Sequence, residues 1–297
     1  MKTNQDRLPI KSLIGEVKPM ETQSFGFMAM DSEGQGQYRA GTGGISYNVR
    51  LGDSCMDVIG EKLQPGISTR YSGAPDPAAG PFGSPSMMAY NIYACVGNEV
   101  TIAGGPLAGK KGFVTGKISG FGVTVDFNSD TVQQMHGDEH FYIKAQGVGM
   151  QIEDFEETVA VHNTSPLLFE KMGYTLTDGK IHVPVKKIIP GFLIGPGIGG
   201  NVLASCCEIM TDHGEGDAAY GLSDLCYGDI IAITDLDTTS GRTFLEGAVS
   251  IGMVVSGDSV SLGAGPGVMT LLASKSDWIV PVLSETANLK NYLPIQL

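Results

Sequence analysis

Two aspartates and an arginine follow a single apolar segment in the last third of the chain. Asp235 and Asp237 come directly after the apolar run 230–234, and Arg242 lies a few residues further on. Because residues two apart in an extended strand point to the same side, the two carboxylates are expected to share one face. Such a pair is able to bind a divalent cation through oxygen, or to divide into a catalytic acid and a catalytic base. The alternative is a solvated turn, since Asp, Thr, Ser and Gly are residues that turns prefer.

A glycine-rich run at 263–267 precedes the apolar segment 267–274, which we predict to be a short helix. The first amides of a helix are unpaired and carry positive potential, so the backbone at Gly265 and Gly267 would bind an anionic group. Arg242 would hold a substrate carboxylate through two parallel hydrogen bonds. The alternative for the glycines is a tight turn that only packs against neighbouring strands, because a glycine cluster by itself has low specificity.

Polar residues from the first half of the chain are expected to reach the same cleft. Asn48 and Arg50 end the segment 41–50, in which glycines suited to positive φ lead into a strand. Asn98 lies in a second pattern of strand and glycine turn at 94–102. We predict that these three side chains take part in binding the substrate.

The cysteines and histidines indicate no second site of comparable specificity. Cys206 and Cys207 lie near His213, and a thiol beside an imidazole is able to act as a nucleophile, although buried free cysteines are common. The histidine spacing does not match a zinc site, and no nucleotide-binding fingerprint stands between a strand and a helix. We therefore predict no zinc and identify no cofactor, while a divalent cation at Asp235 and Asp237 stays open.

Short apolar segments separated by glycines predict a mainly β fold with a few short helices. The chain has 42 glycines and 15 prolines in 297 residues, without a Gly-X-Y period, which favours many turns between short strands. One short helix is predicted at 130–135. Another begins with Ser165 as N-cap and Pro166 in the first turn, and ends at Gly173. Residues 64–88 are rich in proline and glycine and are predicted to form an irregular loop.

A rise in charge at 153–157 marks the boundary between two parts of the chain. We predict an N-terminal β-rich domain at 1–155 and a C-terminal β-rich domain at 156–297, the second of which contains the glycine-rich site segment. Each half is expected to be barrel-like or sandwich-like, and the two halves are expected to pack together.

The charge and composition of the chain exclude several classes of partner. The net charge of −13 argues against nucleic acid, because phosphate backbones repel an acidic surface and no stripe of Lys and Arg occurs. No apolar run approaches the roughly 20 residues that a membrane span needs, and the first residues lack the apolar core of a secretion signal. The five cysteines are odd in number and form no CxxC pair, which fits a reducing compartment. We predict a cytoplasmic protein without nucleic-acid or membrane partners.

Eight short motifs follow one another along nearly the whole chain. They are GTGGISYNVR, ACVGNE, GLSDL, GD, DLD, GR, GAVSIG and GPGV, at residues 41–50, 94–99, 221–225, 228–229, 235–237, 241–242, 247–252 and 265–268. In this order they resemble the family catalogued as domain of unknown function 4438, which implies a β-rich N-terminal part and a β-rich C-terminal part. The family pattern carries a histidine directly before the last Gly-Pro-Gly, where this chain has Ala264, so any role of that histidine would be missing here.

A fainter similarity links the chain to amidohydrolases of the acetamidase and formamidase type. It depends on a Gly-Gly-Asn at 199–201 that comes before a strand with Gly-Asp at 228–229, followed by a late acidic turn. This similarity is an analogy, because likeness at the level of the fold does not transfer function.

These features together predict an enzyme that acts on a small anionic metabolite, by hydrolase or lyase chemistry at a C–N or C–O bond. Asp235 and Asp237 would be its catalytic residues. Two alternatives stay open: a non-catalytic ligand-binding or regulatory protein that uses the same cleft, and a structural homo-oligomer whose glycine turns serve packing only. A homo-oligomer is expected in every case.

Overall fold

The computed structural model describes residues 1–20, 29–30, 33–37, 39–73, 84–118, 122–195, 197, 200–211, 219–260 and 264–295. Strands dominate these residues, and the helices among them are short. The predicted fold class, mainly β with a few short helices and with barrel-like or sandwich-like halves, is therefore confirmed.

The first half of the chain is built around a small closed barrel. Its strands are β1 (Lys11–Val17), β2 (Ala29–Met30), β3 (Gly36–Gln37), β4 (Ile45–Ser46), β5 (Gly66–Tyr71), β6 (Glu99–Ile102), β7 (Lys111–Ile118), β8 (Gly122–Asp126) and β9 (His140–Ala145). The order β1-β9-β6-β7-β8-β5 closes because β5 also pairs with β1, with Glu16 opposite Arg70. β4 extends the sheet beside β5, and β2 pairs with β3. Along β9 exposed and buried residues alternate, which places Phe141 and Ile143 in the barrel core.

Three α-helices lie in the described part of the chain: α1 (Pro85–Tyr93), α2 (Ser129–Val132) and α3 (Pro166–Lys171). The side chain of Ser165 accepts a hydrogen bond from the Leu168 amide, so the predicted N-cap of α3 is confirmed. Gly173 follows the helix with a φ of 69°, as expected for the residue that ends it. The short helix predicted at 130–135 corresponds to α2.

The prediction of one irregular loop at 64–88 was wrong at both ends. β5 begins at Gly66, and α1 begins at Pro85 with Ser84 as its N-cap. Proline at the first helical position starts a helix because its missing amide would be unpaired there anyway. Residues 74–83 of the same segment lie outside the described residues.

The second half of the chain contains two further sheets. Its strands are β10 (Ala160–Val161), β11 (Thr175–Thr177), β12 (Lys180–Val185), β13 (Lys187–Pro190), β14 (Cys207–Glu208), β15 (Ile230–Asp237), β16 (Thr243–Ser256), β17 (Gly267–Ser274) and β18 (Ile279–Leu283). The larger sheet has the order β10-β17-β16-β15-β13, with β14 also paired to β17. The smaller sheet has the order β11-β12-β18.

The segment 267–274 is the central strand β17, and the prediction of a helix there was wrong. Every residue of β17 is buried. β16 pairs with one edge of the strand, and β10 and β14 pair with the other. A short continuous apolar run is typical of a strand buried on both faces, but it is equally typical of a buried helix. Only its pairing partners decide between the two.

The barrel and the larger sheet share buried surface. Val96 and Leu51 from the first half belong to the same hydrophobic cluster as the apolar residues of β15, β16 and β17. Backbone bridges also join Val96 to Thr164 and Ser54 to Cys226. The two β-rich halves therefore pack together as predicted, and the predicted boundary at residue 155 falls between β9 and β10.

None of the described helices has the length and apolar character needed to cross a membrane.

Candidate functional site

The two candidate catalytic aspartates lie in different surroundings. The pairing of β15 with β16 shifts register between Thr234 and Leu236, and Asp235 occupies this bulge with a φ of 59°. Asp235 is exposed, and its Oδ1 accepts a hydrogen bond of 2.8 Å from the Gly247 amide. Asp235 and Asp237 were expected to share one face of a regular strand. The bulge interrupts the alternation of β15, and the two carboxylates lie in different environments.

Asp237 is 8% exposed and serves the turn that follows β15. Its Oδ1 accepts hydrogen bonds from the amide and the hydroxyl of Thr239, both at 2.8 Å. This is the local geometry in which Asp stabilises a turn by bonding to the backbone two residues further on. In the described part of the chain, no group of three or more His, Cys, Asp or Glu side chains is placed to hold a metal ion.

Arg242 begins the approach to β16 and is buried, with 2% of its surface exposed. Its Nη1 donates to the Gly197 carbonyl at 3.1 Å and to Ser205 Oγ at 3.0 Å, and its Nη2 donates to the Ser205 carbonyl. A Cβ at Gly200 would lie 2.7 Å from Nη1, so the glycine lets the backbone lie directly on the guanidinium. All these partners are neutral oxygens.

Arg242 has neither a hydrogen-bond partner at Nε nor an ion-pair partner among the described residues. Its Nε is buried and makes no hydrogen bond. Among the described residues, no carboxylate forms a salt bridge with this arginine. A buried charge is normally paired, and a buried polar atom is normally hydrogen-bonded, so Arg242 is an exception on both counts.

His162 follows β10 and lies close to the turn that leads to Arg242. Its Nε2 is buried and has no hydrogen-bond partner. Burial lowers the pKa of His162, and the positive charges of Lys117 and Arg242 lower it further, against hydrogen bonding to the backbone of Thr239 and Thr238. The imidazole is therefore neutral at neutral pH.

Lys117 on β7 is fully buried between the two halves of the molecule. Its Nζ donates to the carbonyls of Ile92 and Leu203, both at 2.9 Å, and to Asn163 Oδ1 at 2.7 Å. Burial lowers the pKa of Lys117 to about 8, with the Cys95 thiol acting in the opposite direction. The lysine is thus a second buried cation whose hydrogen-bond partners are neutral.

Asn163 connects this lysine to the backbone that covers Arg242. Its Nδ2 donates to the Val202 carbonyl at 2.8 Å and to the Thr270 carbonyl at 2.9 Å. Together, Lys117, Asn163 and Arg242 hold the segment 200–205 by its carbonyl groups. Two cations and a neutral imidazole are consequently gathered in a buried region, where electrostatic interactions are stronger than in water.

The residues of the first half that were predicted to bind the same substrate lie in or beside the barrel. Arg50 forms an ion pair of 2.9 Å with Asp126 and donates to the Phe127 carbonyl at 2.6 Å. Burial raises the pKa of Asp126 to about 6, against the charge of Arg50. Asn48 is exposed. Both side-chain partners of Arg50, Asp126 and the Phe127 carbonyl, belong to the barrel half.

The side chain of Asn98 joins two backbone segments of the barrel through hydrogen bonds. Its Oδ1 accepts a hydrogen bond from the Cys95 amide at 2.8 Å, and its Nδ2 donates to the Gln146 carbonyl at 2.8 Å. The side chain is 3% exposed. These bonds tie α1 to the segment after β9, so the observed partners of Asn98 are all backbone groups of the barrel.

The predicted anion cradle at a helix N-terminus was wrong, because Gly265 and Gly267 lead into a strand. The Gly267 amide already donates to Ser256 Oγ at 3.1 Å. A Cβ at Gly265 would lie 2.4 Å from the Ile209 carbonyl oxygen, so this glycine is needed for close packing. Gly263 lies outside the described residues.

Of the thiol and imidazole pair considered from the sequence, only the thiols lie among the described residues. Cys206 and Cys207 are buried, and His213 lies outside the described residues. Burial raises the pKa of Cys207 to about 12, with the charge of Arg242 acting in the opposite direction. A thiol held in its neutral form is a poor nucleophile.

Sequence reasoning missed Lys117 and His162. The signal for Lys117 was a single charge inside the apolar run of β7, where alternation places it on the same side as Thr115 and Phe113. His162 carried no such signal, because it stands alone between a short strand and the cap of α3.

The comparisons with known proteins agree over almost the entire chain. The family model "Domain of unknown function (DUF4438), N-terminal" matches residues 28–170, and the model "Domain of unknown function (DUF4438), C-terminal" matches residues 171–293. The chain is similar to a solved structure described as the crystal structure of TM1086, with a TM-score of 0.89 and 36% sequence identity over 99% of each chain. A comparison with curated proteins found no significant match. This chain, with both of its halves, belongs to the DUF4438 family.

Proposed function

We propose that the protein binds a small anionic metabolite at Arg242. The observation that carries this proposal is a guanidinium that is 2% exposed and whose Nε has no partner. Among the described residues, no carboxylate balances its charge. A ligand that supplies negative oxygens would satisfy both the charge and the hydrogen-bond donors.

The donors of Arg242 are suited to a carboxylate or phosphate group. A guanidinium has about five N–H groups in a rigid plane. The hydrogen bonds to Gly197 and Ser205 use donors of both Nη atoms and leave the Nε–H group available. These contacts also fix the orientation of the guanidinium before a ligand arrives, which reduces the entropy lost on binding.

Ligand binding is the part of the expected function that the geometry supports best. Hydrolase or lyase chemistry at a C–N or C–O bond needs an acid and a base in contact with the substrate. Asp235 is exposed and caps the Gly247 amide, and Asp237 serves a turn. We therefore place the non-catalytic ligand-binding role first and keep chemistry on the bound anion as a prediction tied to Asp235.

The proposal predicts that Arg242→Lys weakens anion binding about tenfold or more, equivalent to about 1.4 kcal/mol. Lysine keeps the charge but lacks the planar Nε–H donor, so the effect reports on guanidinium geometry rather than on charge alone. Binding of sulfate and of acetate would be measured by isothermal titration calorimetry. A thermal-shift screen of carboxylate and phosphate metabolites, with and without divalent cations, would then search for the natural ligand.

Arg70→Lys is the matched control, since Arg70 is an exposed arginine that pairs with Glu16 on the barrel surface. This variant should bind both anions as the unmodified protein does. Equal affinities of Arg242→Lys and the unmodified protein would contradict the proposal, as would the absence of binding of either anion to the unmodified protein. Circular dichroism and thermal unfolding would verify that Arg242→Lys is folded.

A further inference from the structure

We propose that His162 is the second anion-binding residue of this site, and that it binds the ligand as an imidazolium after taking up a proton from solvent. The inference rests on the proposed function of Arg242. It assigns a ligand contact to a residue that sequence reasoning did not single out, and it couples anion binding to pH.

Two unpartnered polar atoms lie on neighbouring segments. Arg242 Nε and His162 Nε2 are both buried without a hydrogen bond. The ring of His162 contacts the backbone of Thr238 and Thr239, and that turn leads directly to Arg242. Buried polar atoms without partners are rare, so these two atoms beside one turn are where we place a shared ligand.

The charged groups that act on His162 come from two elements, and both are cations. They are Lys117 from β7 and Arg242 from the turn between β15 and β16. Burial is the larger cause of the lowered pKa, and these charges add to it. The imidazole therefore stays neutral while the site holds no anion. An anion bound beside it would reverse the electrostatic effect and raise the pKa, because an opposite charge stabilises the protonated form.

This coupling defines the chemical class of the ligand. The Nε–H of Arg242 and the N–H of an imidazolium are both donors, so the ligand must offer acceptor oxygens and negative charge. Carboxylates, phosphates and sulfates fit this requirement. Neutral amides and alcohols do not, because they would leave the positive charge of Arg242 uncompensated.

The test is an NMR titration of the histidine ring protons of the unmodified protein, from about pH 5 to about pH 8, which spans the ordinary histidine range. One series contains sodium sulfate and the other contains sodium chloride at equal ionic strength, so that screening is the same. The spectrum of His162→Gln assigns the His162 signal. With sulfate bound, the pKa of His162 should rise by about one unit, equivalent to a tenfold change in coupled affinity.

The ring-proton signals of His136, His140 and His182 are internal controls and should not differ between the sulfate and chloride series. At about pH 7, Lys117 would contribute only about a tenth of a proton, because its pKa of about 8 leaves it mostly charged already. Sulfate affinity should fall as the pH rises in the unmodified protein and should change much less in His162→Gln.

Two results would overturn the inference in distinguishable ways. If sulfate binds in a manner that Arg242→Lys weakens, but the pKa of His162 stays unchanged, His162 is not a ligand contact and the anion site at Arg242 stands. If neither sulfate nor acetate binds in a manner that depends on Arg242, the proposed function fails and this inference fails with it.

Discussion

Lys117 and Arg242 are both buried cations, but their titration behaviour differs. A guanidinium keeps its charge in proteins, whereas a buried ammonium is able to lose its proton. Arg242 lacks a partner at Nε, whereas the three hydrogen bonds of Lys117 go to neutral oxygens of Ile92, Asn163 and Leu203. We therefore assign ligand binding to Arg242 and the joining of the two halves to Lys117.

The pKa of Lys117 predicts a rise in stability with alkaline pH. The pKa of about 8 in the folded protein lies below the ordinary lysine value of 10.5, so between these values the unfolded state binds more protons. Relative to Lys117→Met, the unmodified protein should gain about 2 kcal/mol between about pH 8 and about pH 9.5. Urea denaturation of both proteins across this range measures the difference. The comparison removes the contributions of cysteine and tyrosine, and a difference that does not change with pH would contradict the prediction.

Asp235 offers a test that separates structure from catalysis. Asparagine tolerates the positive φ of this position and keeps an oxygen for the Gly247 amide, so Asp235→Asn should change stability by less than about 0.5 kcal/mol. Asp235→Ala loses the hydrogen bond and should cost about 1 kcal/mol. If Asp235 is catalytic, Asp235→Asn should lose turnover on an identified substrate while it stays folded. Full turnover of this variant would remove the catalytic assignment.

At the scale of elements, the strands with clear alternation or flanking turns were predicted correctly, and the continuous apolar run was not. Apolar segments bounded by turn residues predict strands at 180–189, 229–234 and 247–255. β12, β15 and β16 overlap these segments, although β15 continues to Asp237 and β16 already begins at Thr243. β17 was predicted as a helix because nothing inside its sequence distinguishes the two structures. β17 is a strand because it pairs with β16, and this pairing joins residues from different segments of the chain.

At Gly116, strand β7 of the barrel packs closely against strand β16 of the larger sheet. A Cβ at this position would lie 2.8 Å from Thr124 Oγ1 and 2.9 Å from Val255 Cγ1. Gly116→Ala should therefore destabilise the protein by about 1–3 kcal/mol, as overpacking does. Gly104→Ala is the control, because no atom lies within 4 Å of a Cβ there, and it should stay within about 0.5 kcal/mol. Equal denaturation midpoints for the two variants would count against this packing.

At the scale of the whole molecule, the barrel and the larger sheet form a joint core, and the candidate site lies where they meet. Lys117 belongs to the barrel, whereas Asn163 and Leu203 belong to the second half. A change in how the halves pack would therefore alter the segment 200–205 that covers Arg242. Either half alone would lack one of the two cations that surround His162.

The homo-oligomer stays a prediction, and the surface offers a place to test it. Phe192 and Phe244 are 62% and 53% exposed, and both lie close to the bulge at Asp235. Exposed aromatic side chains are enriched at protein interfaces. We expect sedimentation velocity to show an oligomer, and Phe244→Ser to shift it towards the monomer. A monomer at concentrations of about 100 μM, where even an interface with weak micromolar affinity associates, would contradict the expectation.

The sequence by itself determined the β-rich class, the two-part organisation in outline, the cap at Ser165 and the choice of Arg242 as a candidate. These features depend on local patterns, namely glycine spacing, a capping residue and one arginine beside a strand end. Only the tertiary structure decided that Asp235 occupies a bulge, that 267–274 is a central strand, and that Lys117 and His162 lie near Arg242. These outcomes depend on strand pairing and on contacts between distant parts of the chain, whose free energy is not encoded in any single segment.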